Sequence, residues 1–193
     1  LNGKSMINKN TFCSSPWLHA RIDYSGKFVP CRWGGGSKKV YLADPTTKSI
    51  QDSSLIEYFN GPQMVALRQE LLDGKAPSTC TRCYYEDSFD KISGRRKQLM
   101  RSNLSDFATL EEKFTASKHY PLFKYSIENG GLTDAVPIDL QVDLETTCNG
   151  ACVMCGPESS TRLAAEHKIL FHKSPRLFPE KEVPPSWATD PAL

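Results

Sequence analysis

The feature that most constrains this chain is Cys148-Asn-Gly-Ala-Cys152-Val-Met-Cys155, three cysteines in the spacing CxxxCxxC. It follows Ile138-Asp-Leu-Gln-Val-Asp-Leu144, in which apolar and polar residues alternate. Period two predicts a β-strand over 138–144. After the cysteines, Gly156-Pro157 leads into a segment that predicts a helix, capped by Ser159 or Ser160 and running to about His172. Strand, loop and helix in that order make the first unit of a parallel α/β barrel, where chemistry sits at the C-terminal ends of the strands. Three cysteines within eight residues at such a place are hard to explain as core packing. The plain alternatives are buried thiols or a share of a zinc site, because CxxC alone is common in zinc-binding turns. The nearest further cysteine, Cys83, lies 65 positions upstream, and the nearby histidine, His167, falls on the following helix.

All seven cysteines then have to be placed. An odd number with spacings of two or three residues does not fit a disulfide-stapled secreted domain and fits metal ligation in a reducing compartment. No run approaches the roughly 18 apolar residues of a membrane span, and Leu-Asn-Gly-Lys-Ser-Met at the start has no apolar signal core. The expectation is a cytoplasmic protein with no membrane association. Lys and Arg number 24 against 22 Asp and Glu, which gives no electrostatic footprint for nucleic acid. The most basic cluster, Arg95-Arg-Lys97 with Arg101, reads as a solvated helix face. A first residue of Leu points to an incomplete reading frame.

Upstream, Leu18, Ala20 and Ile22 alternate with His19, Arg21 and Asp23, predicting a half-buried strand with His19 on its polar face. Tyr24-Ser-Gly-Lys27 is a turn signal, so 18–29 predicts a β-hairpin that brings Cys13 and Cys31 to one end. Gly34-Gly-Gly36 and Pro45 mark a loop. Asp52 or Ser53 is expected to cap a short helix to about Asn60. Gly61-Pro62 starts a second helix with Met64, Val65, Leu67, Leu71 and Leu72 on its apolar face, ended by Gly74. A further helical region is expected from about Arg95 to His119, with Leu99, Leu104, Phe107, Leu110 and Phe114 on one face. Asn129-Gly-Gly131 to Pro137 reads as a linker, dividing the chain into 1–130 and 131–193. The tail from Phe178 to Pro185 is proline-rich and irregular.

The second cysteine group is Cys13, twelve residues, Gly26, four residues, Cys31, and then Cys80-Thr-Arg-Cys83. Four thiolates satisfy either a tetrahedral zinc or an iron–sulfur cluster. Trp17 and Trp33 beside Cys13 and Cys31 fit a hydrophobic shield around such a centre better than a stacking surface for substrate. Three thiolates, by contrast, leave one iron of a cubane cluster open to a ligand that is not protein. Asp139, Asp143 and Glu145 either line a reaction cavity or face solvent.

The CxxxCxxC loop resembles the cluster-binding loop of radical S-adenosylmethionine (SAM) enzymes. The resemblance implies that Cys148, Cys152 and Cys155 ligate a [4Fe–4S] cluster, with Met154 and Gly156 in the cofactor-binding loop and SAM on the open iron. It also implies an external electron donor of flavodoxin or ferredoxin type and reductive cleavage of SAM to a 5′-deoxyadenosyl radical. Met154 departs from the aromatic residue that many members carry before the third cysteine. The four-cysteine group resembles the SPASM/twitch auxiliary-cluster domain, closer to the shorter twitch form because no cysteine follows Cys83 until Cys148. Twitch-containing proteins with the auxiliary domain first share Phe-Cys-x-x-Pro-Trp at residues 12–17, and Glu86, Ser93 and Arg95 after the CxxC.

Together these resemblances imply an α+β N-terminal auxiliary-cluster domain, a β-hairpin plus helices, followed by the first βα unit of a partial TIM-like radical SAM barrel. Such a barrel needs roughly 150 residues more than the 38 after Cys155, so the expectation is a C-terminally truncated fragment without activity of its own. A peptide or protein substrate is implied by the auxiliary domain. The alternative class is a non-catalytic four-cysteine zinc or interaction module, and a third is an electron-transfer iron–sulfur protein.

Overall fold

The computed structural model describes residues 7–23, 25–32, 48–104, 110–144, 148–153, 155–157 and 160–174. The chain divides into two compact units, Leu1–Ile22 with Lys27–Gln141, and Asp23–Gly26 with Val142–Leu193. None of the described helices is long and apolar enough to cross a membrane.

In the first unit, a helical turn α1 (Ser15–Leu18) precedes strand β1 (His19–Ile22). The strand therefore starts later than the alternation suggests, because Pro16, with φ fixed and no N–H to lose, favours a first helical turn. Strand β2 (Phe28–Val29) pairs antiparallel with β1, Arg21 opposite Val29 and Ile22 opposite Phe28. Between them Ser25 donates through N–H and Oγ to Asp23 Oδ1, at 2.9 and 2.7 Å. The hairpin is thus as expected. Strand β3 (Asp139–Val142) completes a sheet of order β2-β1-β3. With a strand on both sides of β1, His19 is buried and bonded through Nδ1 to Asp139 Oδ2 at 3.0 Å, where a polar, open face was expected.

Strand β3 turns its apolar residues outward. Its polar residues are the partly covered ones, Gln141 accepting from Arg32 Nε at 2.6 Å, while Ile138, Leu140, Val142 and Leu144 are all exposed. The stretch expected to be a linker is tethered within the first unit. Arg68 Nη1 donates to Gly131 O at 3.2 Å, and Asn60 and Thr133 exchange two bonds of 2.9 and 3.0 Å.

The helices of this unit are α2 (Leu55–Phe59), α3 (Pro62–Leu72), α4 (Thr81–Ser88), α5 (Gly94–Arg101), α6 (Leu110–Ala116) and α7 (Tyr120–Glu128). The cap of α2 is Ser54, in a reciprocal box with Glu57, because Asp52 is occupied by Ser49 Oγ at 2.7 Å. Helix α3 buries Met64, Leu67 and Leu71, and ends at Gly74 with φ +73°, a left-handed turn that suits glycine. The region expected as one helix from Arg95 is broken after Arg101. Asn103 adopts φ +57°, and Leu104 N–H donates to Leu99 O at 2.7 Å, which closes the helix end.

Leu99, Leu104 and Phe114 are fully buried as their spacing suggests. Phe107, Tyr24, Trp33, the glycines at 34–36, Pro45, Glu145, Ser159 and the proline-rich tail lie outside the described residues, as does the side chain of Leu110. The core is aromatic. Phe12, Trp17, Phe114 and Phe123 are wholly buried, with Phe12 centred 5.6 Å from Trp17, 5.4 Å from Phe114 and 6.0 Å from Phe123. Trp17 thus packs into the aromatic core and is not among the residues that line the four-cysteine cavity, where a shield around the metal centre was expected.

The second unit contains the three-cysteine loop and helix α8 (Thr161–Lys173). The cap of α8 is Ser160, whose side chain accepts from Leu163 N–H.

Candidate functional site

Cys13 and Cys31 are brought together by α1 and the hairpin. Cys13 Sγ accepts a hydrogen bond from the Ser15 N–H, and Ser15 Oγ donates to the carbonyl of Pro30, the neighbour of Cys31, at 3.4 Å. A 3-10 turn at Ser78–Cys80 runs directly into α4, placing Cys80 at its N-cap and Cys83 in its first turn. Thr79 Oγ1 lies 3.9 Å from Cys80 Sγ, and the Arg95 N–H donates to Cys83 Sγ.

These four cysteines line one cavity of about 40 Å³, together with Pro16, Pro30, Leu67, Leu71, Tyr84 and Arg95 among others. Its lining is almost entirely apolar atoms and sulfur. That volume would take about three waters, which is more than the gaps a close-packed core leaves. Burial is the main cause that raises the thiols of Cys13 and Cys83 above their ordinary value and pushes Cys80 up to about 12, with the neighbouring thiols adding to it. Without a cation to share, these sulfurs hold their protons. Among the described residues no three His, Cys, Asp or Glu side chains converge on a point that could hold a single metal ion. The four thiols line a shared space.

Arg95 departs from the expected solvated face. It is buried, with Nε and Nη2 on Asp87 Oδ2 at 2.9 and 2.6 Å and Nη1 on the carbonyls of Lys9 and Phe12 at 3.0 and 3.1 Å. Its guanidinium carbon lies 6.0 Å from the ring centre of Tyr84, whose hydroxyl donates to Thr11 O at 3.0 Å. Ser93 is the α5 cap, accepting from Arg96 N–H, and Glu86 takes a bond from Arg82 at 3.0 Å. Asp87 was missed from sequence. The signal available was a carboxylate eight residues before an arginine, and that is too common to be read alone.

In the second unit, Cys148, Cys152 and Cys155 are all exposed. Gly150 N–H donates to Cys148 Sγ at 3.4 Å, and a Cβ at Gly150 would lie 3.4 Å from that sulfur and 3.8 Å from Cys152 Sγ. Both distances are ordinary van der Waals contacts, so a side chain would fit at position 150 beside the two sulfurs. Cys155 N–H closes a turn on Cys152 O at 3.0 Å. Two anchors fix the loop to the start of α8: Ser160 Oγ donates to Gly150 O at 2.6 Å, and Thr161 N–H to Cys148 O at 3.0 Å. Gly156 is half-buried behind Cys155, and Met154 lies outside the described residues. Asp139 is engaged by His19.

Comparison with known families gives one finding. Residues 13–84 match the SPASM family, an iron–sulfur cluster-binding domain. The matched span opens on Cys13 and includes Cys31, Cys80 and Cys83, so all four thiols of the cavity fall inside the SPASM region. The CxxxCxxC loop lies beyond it. No curated protein and no solved structure matches the chain.

The donor set fits an iron–sulfur cluster. Four thiols would supply its ligands, two backbone N–H groups would stabilise their sulfurs, and the apolar lining would limit solvent, all of which are means of setting a cluster's potential.

Proposed function

We propose that the chain is a radical SAM protein, or part of one, with its auxiliary iron–sulfur site in the SPASM region and a second, SAM-binding site in the CxxxCxxC loop. The observation that carries this reading is the gathering of Cys13, Cys31, Cys80 and Cys83 around one partly enclosed, apolar cavity within the SPASM match. When bound at the three-cysteine loop, a [4Fe–4S] cluster supplies the electron that splits SAM to a 5′-deoxyadenosyl radical.

The chain's own residues do the rest. Cys148, Cys152 and Cys155 offer three thiolates and no fourth, and Ser160 and Thr161 pin their loop to the N-terminal end of α8, where the helix dipole favours negative charge. In the SPASM region the Ser15 and Arg95 N–H groups stabilise thiolate sulfur, while Pro16, Leu67 and Leu71 exclude water. The partners consistent with this reading are an electron donor of flavodoxin or ferredoxin type and a peptidyl substrate.

The iron–sulfur character of the SPASM family favours a cluster over a lone zinc, which would use the same four thiols. Anaerobic reconstitution with iron and sulfide should load about eight irons per chain, and SAM added to the dithionite-reduced protein should change the electron paramagnetic resonance signal of the three-cysteine cluster. Stoichiometric zinc without sulfide would replace this reading with the zinc module. Reversible reduction with no spectral response to SAM would replace it with electron transfer.

A further inference from the structure

We propose that Arg95 is the positioning residue of the four-cysteine site, holding its two halves in register before any cluster binds. The inference rests on the cluster-binding reading above and assigns how the chain prepares that site.

Each hydrogen bond of Arg95 described above ends on, or beside, a segment that carries a ligand. The Phe12 carbonyl, 3.1 Å from Nη1, belongs to the peptide unit of Cys13 itself, and the Lys9 carbonyl at 3.0 Å fixes the turn before it. Asp87, held by Nε and Nη2, lies one turn after Cys83 on α4. The backbone of Arg95 donates to Cys83 Sγ. One residue thus ties the Cys13 segment, the Cys80–Cys83 segment and a ligand sulfur to the start of α5.

The local sequence explains why position 95 can do this. Ser93 caps α5 and takes the Arg96 N–H, which leaves the Arg95 amide among the first-turn donors without an intrahelical acceptor. That amide is turned to sulfur. The side chain then uses a planar fork that matches one carboxylate in two places, a geometry lysine lacks. A buried ion pair contributes little net stability against apolar packing, and its better-attested use is to fix register. Here the register is that of two cysteine segments about seventy residues apart.

The test uses the full chain with Cys148, Cys152 and Cys155 replaced by Ala, so that bound iron reports the SPASM site alone. Against this parent, Arg95→Met should lose at least half of the bound iron after anaerobic reconstitution, and Arg95→Lys should recover only part of it. The cluster that does form should have a more negative midpoint potential, because the Arg95 N–H to Cys83 sulfur contact is loosened. Far-UV circular dichroism checks the fold. If Arg95→Met gives no soluble protein, Arg95→Lys and Asp87→Asn carry the same comparison, and Asp87→Asn should also lower iron content. Variants equal to the parent in both iron and potential overturn the inference while leaving the cluster reading intact. A parent that binds no iron overturns the cluster reading and this one with it.

Discussion

His19 sits in the middle strand of the sheet, Nδ1 on Asp139 and Nε2 buried with no hydrogen-bond partner among the described residues. Burial lowers its pKa below 6.5, with smaller contributions from the cations of Arg32 and Arg21, and the bond to Asp139 only partly opposes this. The folded state therefore holds His19 neutral, while the unfolded chain takes up a proton near 6.5. Stability is full above that pH and falls as the pH drops from 6.5 through the lowered folded value. Urea midpoints measured between pH 8 and 5 should decline toward acid, and His19→Gln should flatten the decline. The slope should not vanish, because burial lowers the pKa of His119 as well. An unchanged slope in His19→Gln would contradict the assignment. At this scale residue type was legible and environment was not. The alternation around His19 gives its face, but only β3, more than a hundred residues later, decides that the face is covered. The same holds for Arg95, whose basic neighbours suggest solvent until Asp87 is seen against it.

Elements were legible where the signal is local. Pro62 and Gly74 bracket α3 as expected, and the serine cap and glycine loop around the three cysteines follow from short-range rules. Less legible were the helical turn before β1, the break after Arg101 and the outward apolar face of β3, each decided by packing or by a left-handed residue that the period does not reveal. Ser160 offers a direct test of the element that matters most for the SAM site. Its side chain both caps α8 and holds the Gly150 carbonyl, so Ser160→Ala removes two bonds. Loss of such a cap costs about 1 kcal/mol, and amide hydrogen exchange at residues 161–164 should speed up by about fivefold. Exchange unchanged within error would mean that the loop is held by other contacts.

For the molecule as a whole, the cysteines were the legible part, because ligand spacing within each short motif is written in the chain. That Cys13, Cys31, Cys80 and Cys83 share one cavity required the fold, since α1, the hairpin, α3 and α4 all contribute walls. The division of seven thiols into four that line one cavity, Cys83 buried and Cys13, Cys31 and Cys80 half-buried, and three that are exposed is the basis of the functional reading. Whether Cys13, Cys31, Cys80 and Cys83 hold an iron–sulfur cluster is decided by counting iron, zinc and acid-labile sulfide in the full chain after Cys148, Cys152 and Cys155 are replaced by Ala and the protein is reconstituted anaerobically. The account predicts about four irons with matching sulfide, lost when Cys83→Ala is added. One zinc per chain with no sulfide would contradict it.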